Sequence, residues 1–197
     1  MEITFKEIVA GVMLSTFLIV LFWPSDSPST GELFLQGNNI VPVNKEELIL
    51  SGVSYNLHFS DEDGKIIFEK GEKAQVEAGK DFIRIDKVIG TIIIGTKGLK
   101  EIVVSAVDTS LSGSLSNVVL NVSSVNVNIR NFVITGPCRI NLSSAGIKGE
   151  LYIGEIQPGG KVEITLSSAR SDLTLYIKKG FESQVVVNGG PLVTRTW

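Results

Sequence analysis

The chain carries one histidine and one cysteine, so nucleophilic or metal chemistry has few places to reside. His58 lies between Leu57 and Phe59 in an alternating run. A Ser-His-Asp relay would depend wholly on it, and no Gly-x-Ser-x-Gly elbow supplies a nucleophile. It reads as a surface-facing strand residue. Cys138, in TGPCRIN, has Arg139 beside it, a charge that would make an exposed thiol more acidic; a small buried residue at a turn is the preferred reading. One cysteine excludes an internal disulfide and a cysteine metal cluster, and one histidine excludes a two-His zinc site. Asp61, Glu62 and Asp63 form the one dense carboxylate group. A calcium loop places oxygens at alternate positions and a bidentate Glu further on, whereas DEDGKIIFEKG brings Glu69 in too early; the group reads as a solvated turn. The later acids Glu101, Asp108, Glu150, Glu155, Glu163 and Asp172 are scattered, which disfavours a glycan hydrolase. No catalytic, metal or cofactor-binding residue is assigned, and a non-enzymatic protein is expected.

Charge excludes a further class of partner. The 197 residues hold 18 Lys+Arg against 21 Asp+Glu, net −3, with no basic stretch to neutralise phosphates, so no nucleic-acid partner is expected. Composition predicts the fold class. There are 22 Val and 22 Ile against 6 Ala, and side chains branched at Cβ fit a pleated sheet better than a helical turn. Twenty Gly and 20 Ser supply turns, so the body is expected to be all-β.

The first residues differ. Ile8 to Ser25 is an 18-residue run without a charge, roughly 27 Å as a helix and long enough to cross a hydrocarbon core. Trp23 suits the interface and Pro24 ends the helix. With Lys6 the one basic residue before the run, the positive-inside rule places residues 1–7 in the cytoplasm, 8–23 as a single-pass transmembrane signal anchor in the cell membrane, and the rest outside the cell. A cleaved signal peptide is the alternative. Gly11 and Ser15, four apart, give a small-residue face on which another helix could pack. Residues 24–38 read as a linker, 39–100 as a β-rich first part of the ectodomain, and 101–197 as a repeat. In the first part, YNLHFSDEDGKIIFEKG reads as a hairpin: Tyr55, Leu57 and Phe59 alternate, Asp63-Gly64 turns, and Ile66 and Phe68 return.

The repeat is marked by serine pairs. Ser123-Ser124, Ser143-Ser144 and Ser167-Ser168 recur at intervals of 20 and 24. Leu120 and Val122, Ile140 and Leu142, and Val162, Ile164 and Leu166 alternate before them; Val125, Val127 and Ile129, Leu151 and Ile153, and Leu173, Leu175 and Ile177 follow. In the first copy the phase shifts across the pair, as at a corner where the chain bends and aims its apolar side at the same core. A unit of about 20 residues cannot bury such a face alone, and stacking supplies the cover. The pattern predicts a β-solenoid with Ser and Asn rows outside; the alternative is a β-sandwich. Asn121 and Asn141 begin Asn-x-Ser sequences and are candidate glycosylation sites.

This pattern, apolar-x-apolar-Ser-Ser followed by a second alternating set, resembles the adhesin-type β-solenoid families, which include toast-rack domains and adhesin-head GIN domains. The ending QVVVN at 184–188 followed by Gly189-Gly190-Pro191 is similar too, and the resemblance covers about residues 100–190. It implies a membrane-tethered, extracytoplasmic, non-enzymatic domain and supplies no catalytic residue. The expected function is display of a binding or structural adhesin-like ectodomain in the cell envelope. Its partners would be the lipid bilayer and a surface protein, a glycan or a like copy. An accessory or sensor subunit docking through its transmembrane helix is the second expectation.

Overall fold

The computed structural model describes residues 29–34, 39–42, 44–68 and 73–197. They form one all-β sheet: β1 (Ser29–Phe34), β2 (Asn39–Pro42), β3 (Glu47–Asp63), β4 (Lys65–Phe68), β5 (Lys73–Ala78), β6 (Phe82–Lys97), β7 (Glu101–Leu115), β8 (Val119–Ile134), β9 (Cys138–Ile153), β10 (Val162–Ile177), β11 (Val185–Asn188) and β12 (Leu192–Thr196). The spatial order is β1-β5-β6-β3-β7-β8-β9-β10-β11, with β12 also on β10 and β2 on β4. From β6 through β11 every neighbouring pair is parallel. That is a β-solenoid-like arrangement; a sandwich built from hairpins would pair its neighbours antiparallel. Among the described residues no helix is long and apolar enough to cross a membrane. The span expected over 8–23, with Gly11 and Ser15, lies outside the described residues. Ser29–Phe34, in the stretch read as linker, is a strand paired antiparallel with β5.

Parallel neighbours ordinarily need a long crossover, yet β8 and β9 are joined by residues 135–137 alone. The bends explain this. Each 15- to 17-residue strand turns part-way along, so its end returns near the start of the next coil. The longer serine interval arises in the connection 154–161, five residues longer than 135–137, offset by a one-residue bulge at Arg130-Asn131 in β8. Ile156 of that connection is buried.

Alternation sends one side of every coil inward. Leu48, Ile102, Leu120, Ile140 and Ile164 stack in one column and Leu50, Val104, Val122, Leu142 and Leu166 in the next, in register from strand to strand, all buried. Rungs lie about 4.8 Å apart, so each side chain covers the one before, and full burial of each Leu or Ile stabilises the stack by roughly 1.5–3 kcal/mol.

The 39–100 region joins the same sheet in an unexpected order. β6 follows β3 in the chain but lies outside it, and residues 98–100 carry the chain past β3 to β7. The Glu46 carbonyl accepts from the backbone N–H of Lys100 at 2.7 Å and of Glu101 at 3.1 Å, and the Asp81 carbonyl from Glu46 and Glu47 at 3.2 and 3.1 Å. The hairpin expected at Asp63-Gly64 does not form. β3 is paired on both edges, with β6 and β7, so the returning β4 pairs antiparallel with β6 and β2 instead. Together with β5 on the first half of β6, these antiparallel strands cover the edge of the stack, which would otherwise offer bare peptide groups.

Two glycines fit the columns to their neighbours. Gly113 stands between Phe59 and Phe132 in register, and the two buried rings lie 5.5 Å apart between centroids. Gly149 stands between Ile129 and Leu173 at φ +124°, and a Cβ there would meet the Ile129 carbonyl oxygen at 1.9 Å. Replacing Gly149 by Ala combines that clash with a backbone region L-residues avoid, and should lower stability by about 3 kcal/mol or more. Urea unfolding of Gly149→Ala tests this; a midpoint equal to the parent's would contradict the column argument.

Candidate functional site

The bend that every coil shares is built around the serine doublets. Ser105, Ser123, Ser143 and Ser167 pair in register as one row, with Ser51 beyond Ser105. Ala106, Ser124, Ser144 and Ser168 form the next row. From Ser105 to Ser167 the first-row serines are exposed and the second row is more buried, so the doublets are not wholly an outer polar row. The regular rungs stop at Ser124, Ser144 and Ser168 and resume at Asn126, Gly146 and Arg170. The second serine serves the interrupted backbone. Ser144 Oγ lies 2.7 Å from the Gly146 carbonyl and 2.9 Å from that of Val125, and accepts from Gly146 N–H at 3.0 Å. Ser168 Oγ donates to the Arg170 carbonyl at 3.0 Å. Ser124 is buried and shares a 2.6 Å hydrogen bond with buried Thr109. A short side chain with both donor and acceptor suits each place.

Outside the bend stands an apolar column. Ile89 is 46% exposed, Val53 54%, Val107 46% and Val125 51%, and the registers set them on successive coils at the same corner. Ala145 and Ala169 continue the line. Val125, expected to point inward with Val127 and Ile129, is therefore outside: the corner consumes one residue of phase, so Val127 and Ile129 are buried and Val125 is not. An open groove of about 560 Å³ runs along the serine row and the alanines.

Polar ladders flank this corner. Asn141 Nδ2 donates to Asn121 Oδ1 at 2.7 Å and Asn121 Nδ2 to Glu101 Oε1 at 2.6 Å; the amide nitrogens that would carry glycans are thus rungs of a ladder. On the other side Asn126 Nδ2 donates to Asp108 Oδ1 at 2.7 Å, beside a groove of about 570 Å³ that includes Lys148, Arg170 and Asp172.

The other candidates stay apart. His58 Nδ1 is 3.2 Å from Ser112 Oγ, but that hydroxyl donates to the Leu57 carbonyl at 3.1 Å. The imidazole is left to donate to Ser112, opposite to the polarity a general base requires. Cys138 is a buried free thiol, and loss of water contact pushes its pKa up to about 12. Lys65 pairs with Glu62 and Lys97 with Asp63 at 3.2 Å. Among the described residues no group of three or more His, Cys, Asp or Glu could hold a metal. One cluster was not foreseen: the Tyr152 and Tyr176 rings stack at 4.8 Å with Trp197 edge-on to Tyr152. Tyr152 OH donates to Glu150 at 2.8 Å, and this bond to the carboxylate raises the phenol's pKa above its ordinary value. The two tyrosines are 24 residues apart, the interval between the second and third doublets.

No family model and no curated protein matches the chain. A solved structure of a putative cell adhesion protein from Clostridium sporogenes is similar at 14% identity and TM-score 0.35, covering 86% of this chain and 99% of that one. A likeness of that size carries no argument about fold or function.

The two rows of serines predict different costs. Ser144→Ala should lose about 1–2 kcal/mol, because corner backbone groups lose their partner, while Ser143→Ala stays within about 0.5 kcal/mol of the parent. Thermal unfolding of the pair checks it; equal losses would refute the division of roles. For Cys138, a thiol titrating near pH 12 is neutral and shielded at pH 8. Maleimide labelling should therefore be at least tenfold slower in the native protein than in guanidinium, and equal rates would show the thiol to be accessible.

Proposed function

We propose that this chain is a non-enzymatic, membrane-tethered binding protein of the cell envelope, which presents the serine corner of a β-solenoid to a protein partner. One observation carries the reading. Four of the large apolar side chains exposed on the described residues, Ile89, Val53, Val107 and Val125, stand in a single line. Scattered exposed valines need no explanation, but a contiguous apolar strip rimmed by polar rows is the signature of a contact surface. Its apolar character favours a protein partner over a glycan. The run 8–23 supplies the tether in this reading.

The test is the full chain displayed on its host with Val53→Asp, Val107→Asp and Val125→Asp combined. Cell attachment, to other cells or to a coated surface, should fall about tenfold at equal surface amount and equal unfolding temperature. Undiminished attachment would overturn the reading. Surface biotinylation of intact cells should label the chain before lysis, and labelling only after lysis would overturn the topology.

A further inference from the structure

The serine corner is not uniform along its length. In spatial order its outermost residues are Ile89, Val53, Val107, Val125, Ala145 and Ala169. The first four project and the last two do not. The open 560 Å³ groove runs along this corner, and at the end where the small residues stand its lining is Ser143, Ser144, Ala145, Ser167, Ser168 and Ala169. One end of the corner is therefore an apolar ridge four rungs long and the other a two-rung notch lined by alanine and serine.

From this gradient we propose that the corner's partner is a second copy of this chain, packed antiparallel about a two-fold axis between β7 and β8, and that the two copies belong to opposing membranes. The inference rests on the reading of the corner as a contact surface and names its partner. Antiparallel packing sets Val107 against Val125 of the second copy, Val53 against Ala145 and Ile89 against Ala169, so each large residue meets a smaller or equal one. Parallel packing would set valine on valine and leave the alanines facing a void. A two-fold interface of this kind is self-complementary and closes as a dimer.

Charge and area agree with the arrangement. Along the flanking rows the two-fold sets Asp108 against Asn126, Asp86 against Ser167 and Lys148 against Asn56, so no like charges face each other; Asn126 already donates to Asp108 within one copy. Six rungs span about 24 Å. A contact along one corner of that length is a small interface, in the range of weak, reversible contacts. Direction supplies the membranes. β1, the described strand nearest in sequence to the run 8–23, lies at the β6 end of the stack. Antiparallel packing therefore sends the two tethers out at opposite ends, as a bridge between two bilayers requires.

The experiment uses full-length chain in two populations of lipid vesicles, one carrying Ile89→Cys and the other Ala169→Cys, joined by a short bismaleimide that cannot reach between same-position cysteines about 24 Å apart in the antiparallel pair. Cys138 is buried and stays out of the reaction. Covalent dimer linking the two populations should form at least tenfold faster in the mixture than in either population alone. Ala145→Arg, which refills the notch at an exposed position, should reduce that rate about tenfold with its circular dichroism unchanged. No dimer in the mixture, equal dimer in each population alone, or indifference to Ala145→Arg would each overturn the inference. If dimer is absent while the triple aspartate variant still loses attachment, the corner contacts a different protein and the proposed function stands without it.

Discussion

In-register stacking of parallel coils is the constraint from which the rest follows. Once the rungs are fixed about 4.8 Å apart, a residue's neighbours above and below are set by register, and every inward column must be filled as a unit. Columns of Ile, Leu and Val satisfy this directly. Where two rings fall two rungs apart, as Phe59 and Phe132 do, the position between them is Gly113 at φ +89°, and the rings approach across it to 5.5 Å. The glycine belongs to the ring pair as much as to its own strand. The same logic joins Gly149 to Ile129 and Leu173.

A stack of bending strands also has to pay for its corners, where peptide groups leave the ladder. Here the second residue of each doublet supplies the hydroxyl that meets the corner. Ser144 bonds to the backbone of Val125 and Gly146, Ser168 reaches Arg170, and Ser124 meets Thr109 inside. In β7 the corresponding residue is Ala106, and there the polar partner comes from Thr109, bonded to Ser124 in the adjoining coil. Hydroxyl groups thus satisfy corners across coils as well as within them.

Much of this is legible in the sequence because in-register stacking sets like on like: the doublets at 123, 143 and 167 and the alternating sets around them report the rung period directly. Three features are not. In β3 and β6 the corner reads Ser51-Gly52 and Asp86-Lys87, so no doublet marks them as coils. That β6 lies outside β3 depends on where residues 98–100 cross, a long-range choice with no local signature; the failed hairpin at Asp63-Gly64 is its consequence, since β3 has no edge left to offer. The outward Val125 is the third. Val-x-Val-x-Ile from 125 to 129 reads as one alternation, and only the geometry of the bend shows that the corner takes a residue out of phase.

That displaced residue bears on what the corner is for. If the bend itself required a branched side chain at its apex, every coil would carry one. Ala145 and Ala169 occupy the same place with the same rungs before and after, so the backbone turns as well with a methyl group. Val53, Val107 and Val125 are therefore not demanded by the fold, and each leaves apolar surface in water at a cost of roughly 25 cal/mol for each Å² that burial would recover. Nor are they core residues: the inward row resumes two positions on from each, at Tyr55, Thr109 and Val127, which pair in register and are buried. On the proposed reading, side chains that neither build the turn nor seal the interior are the contact surface itself. Their confinement to one end of one corner would then give that contact a direction.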